Sequence, residues 1–404
     1  MRDLARSIDN DLDSSIDNDL DSSSGGDLVQ RALSTIRKHL NMEVAYLSRI
    51  EGDRTVFQRV DAPGLEAVIQ PGQSMPLDAV YCGHILEGRL PQLMPDTADF
   101  PSAREMPITQ QVPIGSHISI PIRRPNGEPY GMFCCLSRKA NGSLNDRDLD
   151  TMRMFADLAA EVVIAEEERD HVHNTARERI AALLARGSFY PVFQPIVELD
   201  TGRPVFFEAL TRFDAEPMRT PDTWFKEAEA VGKGIALEAE TMRSALECLE
   251  TLPMNTRLSL NVSPAALHDP EIVELLANNR LERVMVEVTE HAIVEDYLTL
   301  KEALSKLRAL GAYIAIDDAG AGYSSFQHIV NLQPEIIKLD MNLTRDIDSD
   351  PSRRSLASAM VFFAKETGAR IVAEGVETEA EAATLKTLGI DLAQGYLFGR
   401  PLKR

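Results

Sequence analysis

Apolar residues in the C-terminal half of the chain gather in short runs, and six of these runs end in a carboxylate, an amide or a lysine. They read FFEALTR (Glu208, Arg212), LSLNVS (Asn261), VMVEVTE (Glu287, Glu290), YIAIDD (Asp317, Asp318), IIKLD (Lys338, Asp340) and RIVAEGVE (Glu374, Glu377). With YPVFQPIVEL and LAQGYLFG they make eight strand-like segments between residues 188 and 404. Helical patterns lie between most of them, among them EAETMRSALECLETL, LTLKEALSKLRALG, SLASAMVFFAKETG and EAEAATLKTLG, the last three stopping at a glycine. Strands alternating with helices predict an α/β fold, a (β/α)8-type barrel with its strand ends gathered at one mouth. The first two strands are joined only by DTGRP, Asp200 to Pro204. That is too short for a parallel crossover, so this pair is expected to be antiparallel.

The pattern differs toward the N-terminus. Residues 7–22 repeat SIDNDLDS in tandem, acidic and Ser-rich with isolated apolar residues, which predicts a disordered or weakly helical segment within a disordered tail over 1–26. Its spaced aspartates lack the glycine and distal glutamate of a calcium loop. A helix, LVQRALSTIRKHL, opens an α+β domain over 27–145. Two strands about Gly52-Asp53 and a hairpin about Asn126-Gly127 give it an antiparallel sheet with flanking helices. Residues 146–187 read as one long linker helix, with a break near His171 left open. Its stripe of Leu149, Met152, Phe155, Leu158 and Val162 suits either packing on its own domain or pairing with a second copy in a homodimer.

Length and charge narrow the function. A chain of 404 residues holds two domains. A formal net charge of −21 excludes a binder of nucleic-acid polymers, which needs a basic stripe. The four cysteines (Cys82, Cys134, Cys135, Cys248) have no metal-ligand spacing and read as free thiols. No apolar stretch approaches the roughly 20 residues that span a bilayer, and MRDLARSIDND has no apolar signal core. A cytoplasmic, soluble protein without a membrane partner is expected.

The strand ends carry the chemistry. Glu208, Asn261, Glu287, Asp317 and Asp318 offer hard oxygen donors from four strands, which suits Mg2+ or Mn2+ rather than zinc. Adjacent aspartates after one strand can serve two metals, an arrangement that activates water for phosphoryl displacement. Lys338 and Arg212 can offset phosphate charge, and Glu374 or Glu377 can add a ligand or act as a base. Carboxylates gathered at one end of the barrel without a cation would repel one another at high cost.

These residues resemble the EAL domain of cyclic di-GMP phosphodiesterases. The name motif stands as Glu208-Ala209-Leu210, followed by Thr211-Arg212. The resemblance runs on through Asn261-Val262-Ser263-Pro264, Glu287-Val288-Thr289-Glu290, Asp317-Asp318, Gly322-Tyr323-Ser324-Ser325, Lys338-Leu339-Asp340, Glu374-Gly375-Val376-Glu377 and Gln394-Gly395-Tyr396, covering 188–404. It implies hydrolysis of cyclic di-GMP to linear pGpG with two Mg2+ or Mn2+ ions. It assigns Glu208, Asn261, Glu287 and Asp317 to the first metal, and Asp317 and Asp318, with Glu374, to the second. It makes Glu208, Lys338 and Glu374 catalytic, and Arg212, Leu210, Gln194, Gln394 and Glu377 substrate-binding. Glu290 supports the loop after Asp318, which also forms a dimer interface in the family. In that loop Ala319 and Ala321 stand where the family carries Phe and Thr. The N-terminal pieces resemble a GAF domain, implying a regulatory sensor for an unknown ligand. Cys82-Gly83-His84 and His117 read as structural there. Loss of turnover with retained binding would make the chain a cyclic di-GMP receptor instead.

Overall fold

The computed structural model describes residues 22–288, 297–319 and 323–403, with side-chain surroundings from residue 28 and, in the helix Tyr323–Leu332, from residue 327. Residues 1–21, Glu290 and Ala321 lie outside the described residues; residues 22–26, expected in the disordered tail, belong instead to the opening helix, Ser22–His39. The chain divides into two compact units between Val172 and His173.

In the N-terminal unit, strands β1 (Val44–Glu51), β2 (Arg54–Asp61), β3 (Ser74–Pro76), β4 (Leu93–Met94), β5 (Ser116–Arg123) and β6 (Pro129–Ser137) form one antiparallel sheet in the order β3-β2-β1-β6-β5-β4. The β5–β6 hairpin closes on Pro125, Asn126 and Gly127, and Gly127 takes φ 86°. Strand periodicity of two sorts the side chains onto two faces. Leu47, Ile118 and Cys135 join Leu33, Ile36 and Met152 on one face, while Tyr46 and Cys134 join Tyr81 and Cys82 on the other.

The helix Asp146–Arg186 runs without a break at His171. Its buried stripe is Met152, Ala156, Ala159 and Val163, whereas Leu158 is 42% exposed and Met154 73% exposed. The sequence pattern favoured the larger Leu158. The sheet-facing stripe takes the alanines, which let the helix approach closely.

In the C-terminal unit, β7 (Phe189–Glu198), β8 (Pro204–Phe213), β9 (Arg257–Val262), β10 (Val284–Val288), β11 (Tyr313–Ala319), β12 (Ile336–Leu339), β13 (Arg370–Ala373) and β14 (Leu392–Gln394) close into a barrel in chain order. Strand β7 is antiparallel to both neighbours, β8 and β14, and the other pairs are parallel. The helices Pro351–Thr367 and Glu379–Leu388 end at Gly368 and Gly389 in left-handed conformations, as their sequences predict.

Alternation along each strand gives the barrel two sets of residues. Leu258, Leu260, Val286, Ile314, Ile337 and Ile371 belong to a cluster shared with helical residues such as Leu304, Ala357 and Leu385. The alternate positions Ile196, Phe206, Met285, Ala315, Ile336, Val372 and Leu392 form a separate, fully buried cluster, the layer that plugs the barrel.

Candidate active site at the barrel mouth

Two residues beyond each member of that plug, on the same face of the strand, stands a polar residue. Phe206 leads to Glu208, Met285 to Glu287, Ala315 to Asp317, Ile336 to Lys338, Val372 to Glu374 and Leu392 to Gln394. Because β7 runs antiparallel, the same rule applied backwards takes Ile196 to Gln194. On β9, Ser259 lies opposite Glu208, and Asn261 lies opposite Glu287 on β10. A polar layer therefore stacks on the apolar plug, and most of the sequence-predicted residues meet there.

Lys338 is its centre. Its side chain is 1% exposed, and Nζ lies 2.7 Å from Glu374, 2.8 Å from Glu287, 3.0 Å from Asp317 and 3.7 Å from Glu208. Burial works against the ammonium, but Asp317, Glu208, Glu287 and Glu374 outweigh it and hold the lysine pKa well above its usual range. The carboxylates pay the complementary penalty. Burial, with repulsion from Glu208 and Asp317, pushes Glu287 up to about 8 against the pull of Lys338. Burial and repulsion from Asp317 and Glu208 likewise raise Glu374 well above the carboxylate range. One ammonium faces four carboxyl groups, and the upward shifts of Glu287 and Glu374 mark the repulsion it leaves uncompensated, which a bound cation would relieve.

Hydrogen bonds orient the acids. Asn261 Nδ2 donates to Glu208 at 2.9 Å, and Gln394 Nε2 donates to Glu208 at 2.5 Å and to Gln194 Oε1 at 3.1 Å. Gln194 in turn donates to the Gly399 carbonyl at 3.1 Å. Ser259 donates to Glu287, a contact that strand-end reading overlooked because the serine precedes the run end by two residues. Its being in phase with Asn261 was the available signal.

Asp317, Asp318 and Glu374 each place a carboxylate oxygen within 4.8 Å of the other two. Asp318 reaches this position with φ 53°, a left-handed conformation that Asp tolerates better than most residues. A shared register shift in β11 between Ile316 and Ala319 accompanies it. An all-oxygen donor set whose carboxyl groups repel one another fits a hard divalent cation.

A cavity of 580 Å3 opens beside the layer. Glu208, Asn261 and Asp317 border it, as do Leu210 and Arg212 from the end of β8. Gln194 and Gln394 stand behind Glu208 and do not line it. Glu377 lies on the surface, with Arg345 at 3.4 Å. Glu238, which no strand-end pattern signals because it sits on the helix Gly234–Glu247, also lines the cavity and accepts the Ser263 amide at 3.0 Å. Burial raises its pKa.

Residues 177–401 match the family model described as EAL domain. The chain belongs to the EAL domain family. Residues 23–163 match a GAF domain model, over the antiparallel sheet and its flanking helices. Among curated relatives of this EAL chain, cyclic di-GMP phosphodiesterase PA2567 of Pseudomonas aeruginosa is 32% identical over 227 residues, covering 53% of this chain and 38% of that protein. Cyclic di-GMP phosphodiesterase NbdA of the same organism is 31% identical over 223 residues, covering 52% and 28%. The chain spans about a third of the length of the curated relatives it matches first. A solved PaMucR phosphodiesterase in complex with c-di-GMP is 28% identical, covers 56% of this chain and 97% of its own, and superposes with a TM-score of 0.50. The EAL enzyme Bd1971, solved with cAMP and cyclic di-GMP bound, shares the fold over 90% of this chain and 91% of its own at 19% identity and a TM-score of 0.55. Among the described residues, no helix is long and apolar enough to cross a membrane.

Proposed function

We propose that the barrel hydrolyses cyclic di-GMP to linear pGpG with two divalent cations, Mg2+ or Mn2+. The observation that carries this reading is the ring of Glu208, Glu287, Asp317 and Glu374 about Lys338, bordering a cavity walled by Arg212. Glu208, Asn261, Glu287 and Asp317 would hold one cation, and Asp317, Asp318 and Glu374 the other. Bound cations supply water activation and neutralise charge at the scissile phosphate.

The chain's own groups do the rest. Lys338, fixed by its carboxylates, holds its ammonium beside the attacking water. Glu374, within 2.7 Å of Lys338, takes up a proton or completes the metal shell. Arg212 meets a phosphate of the substrate and Leu210 packs against it, both from the cavity wall. Gln394, Gln194 and Ser259 position the acids without touching substrate. Glu290 supports the loop after Asp318, and Glu377, at the surface, contacts the substrate from outside the acidic layer. The GAF-domain unit regulates this activity, and a homodimer forms through the EAL units and the exposed Met154 and Leu158 of the linker helix.

The decisive assay is hydrolysis by the full chain. With Mg2+ or Mn2+ the protein is expected to convert cyclic di-GMP to pGpG, and Glu208→Ala or Glu374→Ala to abolish conversion. Excess Ca2+ is expected to inhibit, because its larger, looser shell misplaces the attacking water. Tight binding without turnover under either metal would replace the hydrolase with a receptor, and absence of binding would sink both.

A further inference from the structure

The N-terminal unit contains a second cavity, of 610 Å3, on the sheet face that carries Tyr46 and Cys134. Its floor is a cross-strand row in which Val44 of β1 faces Leu136 of β6, and Leu136 faces His117 of β5. Phe57, Ile69, Tyr81 and Ile114 contribute to its walls. A concave, largely apolar space of this size is what a small-molecule ligand occupies.

His117 is the anomaly in that wall. It is 1% exposed, and among the described residues neither ring nitrogen has a hydrogen-bond partner. Tyr81 packs edge-on against the imidazole, with centroids 5.1 Å apart, but spends its hydroxyl on Thr109 at 2.6 Å. A neutral imidazole carries one donor and one acceptor, and buried polar groups ordinarily find partners. Burial alone holds the ring neutral, with a pKa of about 3. The permanent charge on the cavity lining is Arg138, and Glu43 already pairs with it at 2.6 Å while accepting its backbone amide at 2.6 Å. An anionic ligand would meet no free counter-charge.

We propose that this cavity binds an uncharged, mostly apolar small molecule bearing a hydroxyl group, which hydrogen-bonds the ring of His117. The ligand class follows from the lining: mostly apolar walls for its body, a buried neutral imidazole for its polar group with the uncharged Gln73, Ser74 and Gln111 also on the lining, and no unpaired cation for an anion. It gives the regulatory reading of this unit a ligand class. Its test reads binding alone, so its failure is distinguishable from failure of hydrolysis at the barrel.

The probe is 1-naphthol, titrated into the full chain and followed by its own fluorescence, beside naphthalene and 1-naphthalenesulfonate. Saturable 1-naphthol binding is expected, at least tenfold tighter than naphthalene, with the sulfonate weaker still. His117→Phe should erase the preference for naphthol, and His117→Gln should restore part of it. Ile69→Trp, which enlarges a lining side chain to occupy the cavity, should abolish binding of both neutral probes and tests the site even if His117→Phe does not fold. Absence of saturable naphthol binding, a preference that survives His117→Phe, unchanged binding in Ile69→Trp, or sulfonate binding as tightly as naphthol would each overturn the proposal.

Discussion

Lys338 shows how a single residue sets the state of its neighbours. Four carboxylates converge on its ammonium, and two of them are already pushed toward protonation by burial and mutual repulsion. Replacing Lys338 by Met leaves those acids buried without their counter-charge. Breaking a buried ion pair in this way costs roughly 3–5 kcal/mol. Lys338→Met is therefore expected to lower the chemical-unfolding midpoint of the metal-free protein strongly, and Mn2+ to recover part of the loss; equal stability of variant and parent without metal would contradict the charge argument. Gly375, directly after Glu374, makes a different demand. It takes φ 65°, and a Cβ there would lie 2.6 Å from Met341 Cβ. Left-handed strain costs about 1–2 kcal/mol, and relief of the clash must move the backbone that carries Glu374. Under the proposed hydrolase reading, Gly375→Ala is expected to reduce turnover of cyclic di-GMP by about 100-fold, the scale of a misplacement near 1 Å. Wild-type turnover in a folded variant would show that the Glu374 backbone has room to spare. The acids and the lysine were legible because each ends an apolar run. Ser259 was not, because it lies inside a run and only its phase with Asn261 marks it.

At the scale of elements, period-two alternation explains why strand ends carry the site: the residue above each plug residue on the same face must enter the mouth. The short DTGRP connection made the antiparallel β7–β8 pair readable from sequence, and that reversal places Gln194 in the same layer. The conformation of Asp318 and the register shift before Ala319 were not readable, since they depend on how β11 meets β12 rather than on residue type. Ala319 itself is fully buried in the outer barrel core, where the family's Phe would need more room. The helix Asp146–Arg186 shows a different limit. A stripe chosen by side-chain size favours Leu158, yet Ala159 is 1% exposed against the sheet and Leu158 is 42% exposed. Overpacking a full site costs about 1–3 kcal/mol, whereas an exposed substitution usually stays within about 0.5 kcal/mol. Ala159→Leu is expected to destabilise the N-terminal unit and Leu158→Ala to leave the monomer's stability nearly unchanged, as read by denaturant unfolding at low protein concentration. The reverse ranking would place the buried stripe on the other side.

At the scale of the whole molecule, two units with separate cores should answer to different ligands of the folded state. The barrel clusters draw on residues beyond Val172, and the sheet clusters on residues before it. A cation that binds only folded barrel stabilises that unit by about 2.7 kcal/mol at 100 times its dissociation constant. The N-terminal unit should lose stability on acidification through His117, whereas the raised pKa values of Glu287 and Glu374 make the metal-free barrel gain it. The folded pKa of His117, about 3, lies below the unfolded value of 6.5, because burial disfavours the imidazolium. Between those values the unfolded chain binds the proton that the folded chain refuses, so stability is complete above the unfolded pKa and falls as pH drops toward 3. The loss at pH 5 is about 2 kcal/mol. Calorimetry of the full chain is expected to resolve two transitions, one raised by Mn2+ and the other lowered on acidification from pH 7.5 to 5. In His117→Phe the second transition should lose most of that pH dependence while the Mn2+ response of the first persists. A single transition that shifts with both Mn2+ and pH would mean that the two cores unfold as one cooperative unit, and a pH response unchanged by His117→Phe would assign it to other groups.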